Sequence, residues 1–249
     1  MWRGVFLFLA LAGPVSADVS GVFSGSVTGV PHSTNGGLEP FRAQTNLRLA
    51  FPLVSLSDTT TLHAFTSLSI DRDAEPSDKL TFGIELRRRF QGGHSVTASW
   101  RYSESENLLT GVRSSGVQFG LDHGLYRQIR QGGVLRYILS GWSNIRSPAS
   151  LSDRDQNVLF QGRYELARRV PEDFLGATPY LFGGVGLVRD SEKLSYNNKF
   201  TLDAGARLSW RLEGRTSLSL SWKATRDRRF VSDVTYFGHQ FGLSWRRVF

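Results

Sequence analysis

The sequence predicts an all-β chain folded as a single antiparallel transmembrane β-barrel of about 12 strands. Large apolar residues alternate with small or polar ones along most of the chain, so each segment has one face for lipid and one for a polar interior. The final segment, Tyr236 to Phe249, sets Phe237, Phe241, Leu243, Trp245 and Phe249 against Gly238, Gln240, Gly242, Ser244 and Arg246 and stops on an aromatic residue. Beyond the first residues no apolar stretch approaches the roughly 18 residues that a membrane helix needs.

Met1 to Ala17 read as a cleavable secretory leader: Arg3 is the charged start, Gly4 to Ala12 the apolar run, and Val15-Ser16-Ala17 the small-residue cleavage site. The barrel then occupies residues 18–249. Cysteine is absent, which excludes disulfides, thiol chemistry and cysteine-based metal sites. No cofactor is expected. The net charge is +8, from 30 Lys and Arg against 22 Asp and Glu. Those bases are spread through the alternating strands and not gathered in one run, which argues for a basic interior and against a nucleic-acid partner.

Strands are predicted to start near residues 19, 42, 60, 79, 94, 114, 134, 157, 178, 198, 215 and 235. Alternation is clear where Leu80, Phe82, Ile84 and Leu86 oppose Lys79, Thr81, Glu85 and Arg87, and where Phe200, Leu202, Ala204, Ala206, Leu208 and Trp210 oppose Thr201, Asp203, Gly205, Arg207 and Ser209. The strand near 134 is ambiguous, since Leu135, Tyr137 and Leu139 or Val134, Ile138 and Trp142 could face outward. Connections at 91–93 and 212–215 read as tight turns, with longer ones near 52–59, 127–133 and 171–177. The alternate set, near 31–41, 71–78, 104–113, 145–156, 189–198 and 226–233, is longer and polar.

A leader followed by alternating strands and a terminal strand ending in Phe249 resembles the outer-membrane β-barrels of Gram-negative bacteria. In that class the terminal strand is the signal for the barrel-assembly machinery, and Arg247 stands where an aromatic or aliphatic residue is commoner. The resemblance implies a place in the cell outer membrane, contact with its lipid and lipopolysaccharide, both termini in the periplasm, and the polar loops outward. Trp210, Trp245 and Phe249 are then expected in a periplasmic aromatic belt, and Trp100 and Trp222 in the opposite one. Arg88, Arg168 and Arg247, of outward parity, lie near the periplasmic ends, where they can snorkel. A soluble β-sandwich, which also alternates, explains neither feature.

For function, the informative face is the inner one. It collects Arg42, Arg48, Arg87, Arg89, Arg101, Arg163, Arg207 and Arg211, together with Lys79, Arg169, Lys199, Lys223 and Arg246, against Glu85, Asp122, Glu165 and Asp203. A narrow lumen lined this way attracts anions, and small barrels resembling the acidic-oligosaccharide porins share its size and Arg-rich lining. The expectation is therefore a small basic-lined channel for anionic solutes. A barrel sealed by cross-lumen Arg–carboxylate pairs, structural or partner-binding, is the first alternative. An outer-membrane lipid hydrolase is the second. His32-Ser33-Thr34-Asn35-Gly36 resembles the His-x-Ser-Asn-Gly segment of outer-membrane phospholipases, but Thr34 occupies the Ser position and Asn-Gly suits a turn. The histidines His63, His94, His123 and His239 form no constellation by spacing, so no catalytic or metal-binding residues are assigned. Gly116, Gly120 and Gly124, and the Gly183-Gly184-Val185-Gly186 segment, read as places where the wall needs room. Asp71, Asp78, Asp227 and Asp233, with Arg72, Arg146, Arg226 and Arg228, read as rim residues facing lipopolysaccharide phosphates.

Overall fold

A computed structural model describes residues 20–29, 41–72, 76–148, 157–192, 198–213 and 215–249. The expected leader and the His32–Gly36 segment lie outside them. Twelve antiparallel strands close into one barrel: β1 (Ser20–Gly29), β2 (Phe41–Ser57), β3 (Thr60–Arg72), β4 (Ser77–Arg89), β5 (His94–Asn107), β6 (Arg113–Gln131), β7 (Val134–Ser147), β8 (Leu159–Arg169), β9 (Thr178–Asp190), β10 (Lys199–Leu212), β11 (Thr216–Arg229) and β12 (Val234–Val248). Each strand pairs with its neighbours in sequence, and β1 pairs with β12 to complete the ring. Even strand number brings both ends of the described chain to one end of the barrel.

The sheet is inside-out relative to a soluble core. Phe119 is 61% exposed on the outer face, whereas Glu85 is 5% and Ser103 0% exposed on the inner one. Register fixes these faces, because residues opposite one another on paired strands point the same way. Leu80 pairs with Leu68, Ile84 with Trp100, Leu121 with Ile145, and Leu220 with Leu243, all on the outer wall. The β7 ambiguity resolves in the same manner. Leu139 pairs with Leu166 and faces out, while Trp142 pairs with Arg163 and faces the lumen.

Several connections are shorter than expected. β2 continues past Pro52 to Ser57, with register shifts between Pro52 and Val54 and between Ser55 and Ser57. Those bulges let a proline sit in a paired strand, so the 52–59 connection shrinks to Asp58 and Thr59. At the base of β6 and β7 only Gly132 and Gly133 turn the chain, with φ of 58° and 78°. Two positive φ values are what a tight hairpin turn demands, and a glycine pair supplies them. On the opposite side, β3, β7 and β11 run into stretches that composition marks as loop, carrying Asp71, Arg146 and Asp227 onto strands.

Closure rests on the β1–β12 seam, where Gly21 N–H donates to the Phe249 carbonyl at 2.7 Å and Phe249 N–H to the Gly21 carbonyl at 3.1 Å. Two outward glycines of β1 sit beneath aromatic rings of β12: a Cβ on Gly25 would overlap the Trp245 ring, and one on Gly21 the Phe249 ring. The rings take the place of the missing side chains, a known device for pinning register beside a glycine. Gly21→Val combined with Gly25→Val is therefore expected to lower stability by about 1–3 kcal/mol through overpacking of the seam, read as a lower temperature for loss of the compact band in heat-modifiable gel mobility.

Candidate functional site: the charged inner wall

All eight arginines assigned to the lumen from alternation have inward register. Arg42 faces Thr28, Arg48 faces Val22 and Ser67, Arg87 faces Thr61 and Thr97, and Arg89 faces Ser95. Arg101 faces Gly83 and Gln118, Arg163 faces Trp142 and Gly186, Arg207 faces Tyr180 and Ser221, and Arg211 faces Ser217. They do not converge on one spot. They divide between the β2–β6 wall and the β8–β12 wall.

On the first wall Glu85 is the hub. Its carboxylate accepts from Arg48 Nη2 at 2.6 Å and from Arg87 Nη2 at 3.0 Å, and the Arg48 guanidinium lies 3.9 Å above the Phe65 ring centroid. Arg42 pairs with Asp71 on the adjacent strand. Arg101 reaches Asp122 at 3.7 Å and lies across Gly120, where a Cβ would collide with its guanidinium.

On the second wall two pairs bridge β8 and β10 over the intervening β9. Arg163 Nη2 donates to Asp203 at 2.9 Å, and Arg207 Nη2 to Glu165 at 2.5 Å. β9 can be bridged because two of its inward residues there, Gly184 and Gly186, carry no side chain. Gly184 lies between Glu165 and Asp203 in register, and a Cβ on it would stand 2.7 Å from Asp203 Oδ1. Gly186 lies in the same way between Arg163 and Thr201. The glycine-rich segment thus leaves room for charged arms laid flat on the wall. The Arg207 guanidinium also lies 5.2 Å from the Phe182 ring centroid.

Two cavities of about 220 and 160 Å³ open beside this second network and share Arg163, Lys223 and Gln240. The larger adds Lys199, Thr201, Thr225, Asp227 and Tyr236. Cations and neutral hydrogen-bonding groups therefore converge around one space, the arrangement a small anion needs. Asp227 is held on one side by Lys199 at 3.7 Å.

The fold of this closed 12-strand ring is shared with solved structures. An outer-membrane channel from Pseudomonas putida F1 superposes with a TM-score of 0.54 at 14% identity, covering 96% of this chain and 97% of that one. The β domain of the Bordetella autotransporter BrkA gives 0.51 at 12% identity, covering 92% and 99%. The chain has an outer-membrane β-barrel fold. No protein-family model and no curated protein matches it. The exposed apolar exterior of this barrel fits the cell outer membrane, the location of the solved barrels it resembles.

The five aromatic residues expected in the interfacial belts all face outward, at differing depths. Trp210 and Trp245 flank Leu218 in one register row near the terminal end, and Phe249 closes the seam. Trp100 and Trp222 lie near the middle of β5 and β11, farther from the opposite rim than composition suggests, and Trp222 stacks on His239 at 5.7 Å.

Composition alone does not reveal three lumen groups. Asp71, Arg146 and Asp227, expected at the rim, stand in register on the inner wall. β3, β7 and β11 run 13, 14 and 14 residues, longer than the roughly 9–11 that a tilted crossing needs, and backbone pairing continues through their polar ends. Asp233 does occupy the rim, accepting from Arg228 at 3.1 Å. The histidines need a larger correction: His94 and His123 stand together on the outer wall, 3.1 Å apart between ring nitrogens. Their shared outward parity was the available signal.

Asp203→Asn should leave Arg163 facing a neutral amide and cost about 1–3 kcal/mol, seen as a lower urea midpoint for unfolding. Adding Arg163→Gln should recover part of that loss, because the uncompensated cation is removed as well.

Proposed function

We propose that the barrel is a narrow, basic-lined channel for anionic solutes, with its terminal end in the periplasm. The supporting observation is the reach of the inner-wall ion pairs. Among the described residues they join groups on one strand (Glu85 and Arg87), on adjacent strands (Arg42–Asp71, Arg101–Asp122, Lys199–Asp227), or on strands two apart (Arg48–Glu85, Arg163–Asp203, Arg207–Glu165). None links opposite walls. The pairs hold side chains against the sheet, unlike the cross-lumen network that a sealed barrel requires.

Bases outnumber acids on this wall, so pairing leaves a surplus. Lys79, Arg89, Arg146, Arg211, Lys223 and Arg246 have no carboxylate at ion-pair distance among the described residues. Unpaired cations in a low-dielectric wall raise the local concentration of anions and repel cations. The cavity bounded by Arg163, Lys199 and Lys223 is the natural resting place for a solute with one or two acidic groups, and Gln240, Thr201 and Tyr236 are placed to bind neutral oxygens.

The test is current through a planar bilayer under a salt gradient, using the refolded full chain. The expected result is an anion-selective reversal potential. Replacing Lys79, Arg211 and Lys223 with Gln should lower anion-over-cation permeability roughly several-fold, without loss of heat-modifiable folding. A folded protein that passes no current, or one whose selectivity ignores the three substitutions, overturns the reading.

A further inference from the structure

The outer wall carries one polar chain between flanking rows that hold Leu121, Ile145, Leu139 and Leu166. His94 Nδ1 lies 3.1 Å from His123 Nε2, His123 Nδ1 lies 2.9 Å from Tyr164 Oη, and Tyr164 Oη donates to Ser143 Oγ at 3.1 Å. All four residues have outward register. Arg88, Val96, His123 and Ser143 form one row across β4 to β7, and His94, Leu125, Gly141 and Tyr164 form the next across β5 to β8. Leu121, Ile145, Leu139 and Leu166 flank the rows on the same face. Gly141 makes the chain possible, since a Cβ there would overlap the Tyr164 ring that crosses it.

The hydrogen bonds have one consistent direction. Because Tyr164 gives its proton to Ser143, it must receive one from His123 Nδ1–H. A neutral His123 then offers Nε2 as acceptor to His94 Nδ1–H. Two ends remain: the Ser143 hydroxyl hydrogen and His94 Nε2, neither with a protein partner among the described residues. One added proton on His94 Nε2 makes that end a cationic donor without disturbing any bond of the chain. Ionisable groups on a lipid-facing wall are costly, and an apolar residue at each position would serve the barrel better. Arg88, in the same row as His123 and 5.1 Å from the Phe90 ring centroid, brings a guanidinium to this face near the terminal end.

We propose that this face, from β4 to β8, is a binding site for the anionic phosphate headgroup of a membrane lipid. The Arg88 guanidinium and protonated His94 Nε2, diagonal neighbours on β4 and β5, are its phosphate donors; the Ser143 hydroxyl, two strands from His94 and one row deeper in the wall, is placed for an ester carbonyl of the same lipid, and the Leu121–Ile145 pair, deeper still, takes the acyl chains. His123 and Tyr164 are positioning residues that orient the two ends. A phosphate suits the site because it accepts several charge-assisted hydrogen bonds at once.

Native mass spectrometry of the full chain, released from micelles carrying phosphatidylglycerol, lipid A or diacylglycerol, tests this. Retention of phosphatidylglycerol over diacylglycerol supports the site and assigns it to phospholipid. Retention of lipid A instead supports the same phosphate chemistry with lipopolysaccharide as its source, and reverses the orientation proposed above. His94→Phe with Ser143→Ala should weaken the preferred lipid about tenfold while heat-modifiable folding is kept. His123→Gln tests the relay within the same chain and should weaken binding less. Equal retention of all three lipids overturns the proposal. So does retention that survives the double substitution, or a loss reproduced by Arg247→Gln, which would mark a general cationic collar and not this site.

Discussion

A sheet immersed in lipid can leave no backbone donor or acceptor unpaired, and the whole molecule answers to that requirement. Twelve strands meet it only when β1 and β12 join, which makes the seam between Gly21 and Phe249 the condition for everything else. Once the ring is closed, each side chain is committed to lipid or lumen by parity alone. That commitment explains why Phe119 is exposed and Glu85 buried in the same few turns of the wall. It also explains why the seam is built from glycines under aromatic rings: small residues let the last strand approach closely, and the rings restore the apolar cover.

Inside, the difficulty is to carry many charges in a narrow space without filling it. The solution pairs glycine with charge. Gly120 lies under the Arg101 guanidinium, and Gly184 lies beside the Asp203 carboxylate. Where β9 offers no side chain, Arg163 and Arg207 can reach carboxylates two strands away and remain close to the sheet. Carboxylates such as Glu85 and Asp203 are then deeply buried yet bonded, the state in which a buried charge is tolerable. The remaining bases face the central space.

Much of this is legible in the sequence because alternation with a period of two is a direct image of barrel geometry. The strand order, the inward facing of all eight arginines and the outward facing of Trp210, Trp245 and Phe249 follow from it. Alternation fails where both faces carry similar residues, as in β7, where only pairing with β6 and β8 shows that Trp142 turns inward. Composition fails at strand ends, where Asp71 and Asp227 look like loop residues although their backbones remain in the ladder. Spacing fails altogether for His94, His123, Ser143 and Tyr164. They come from four strands, and their meeting depends on register, which no single segment encodes.

Hydrophobic alternation has a blind spot, since sliding one strand by two residues returns every side chain to its proper face. The barrel would still look correct to lipid and water after such a slip. It would not look correct to its charges: displacing β9 by two residues against β8 and β10 would bring Phe182 or Val188 into the places now held by Gly184 and Gly186. The strap from Arg163 to Asp203 would then meet a bulky side chain instead of an open track. Charge and glycine together proofread the assembly at a level that oil and water alone cannot distinguish.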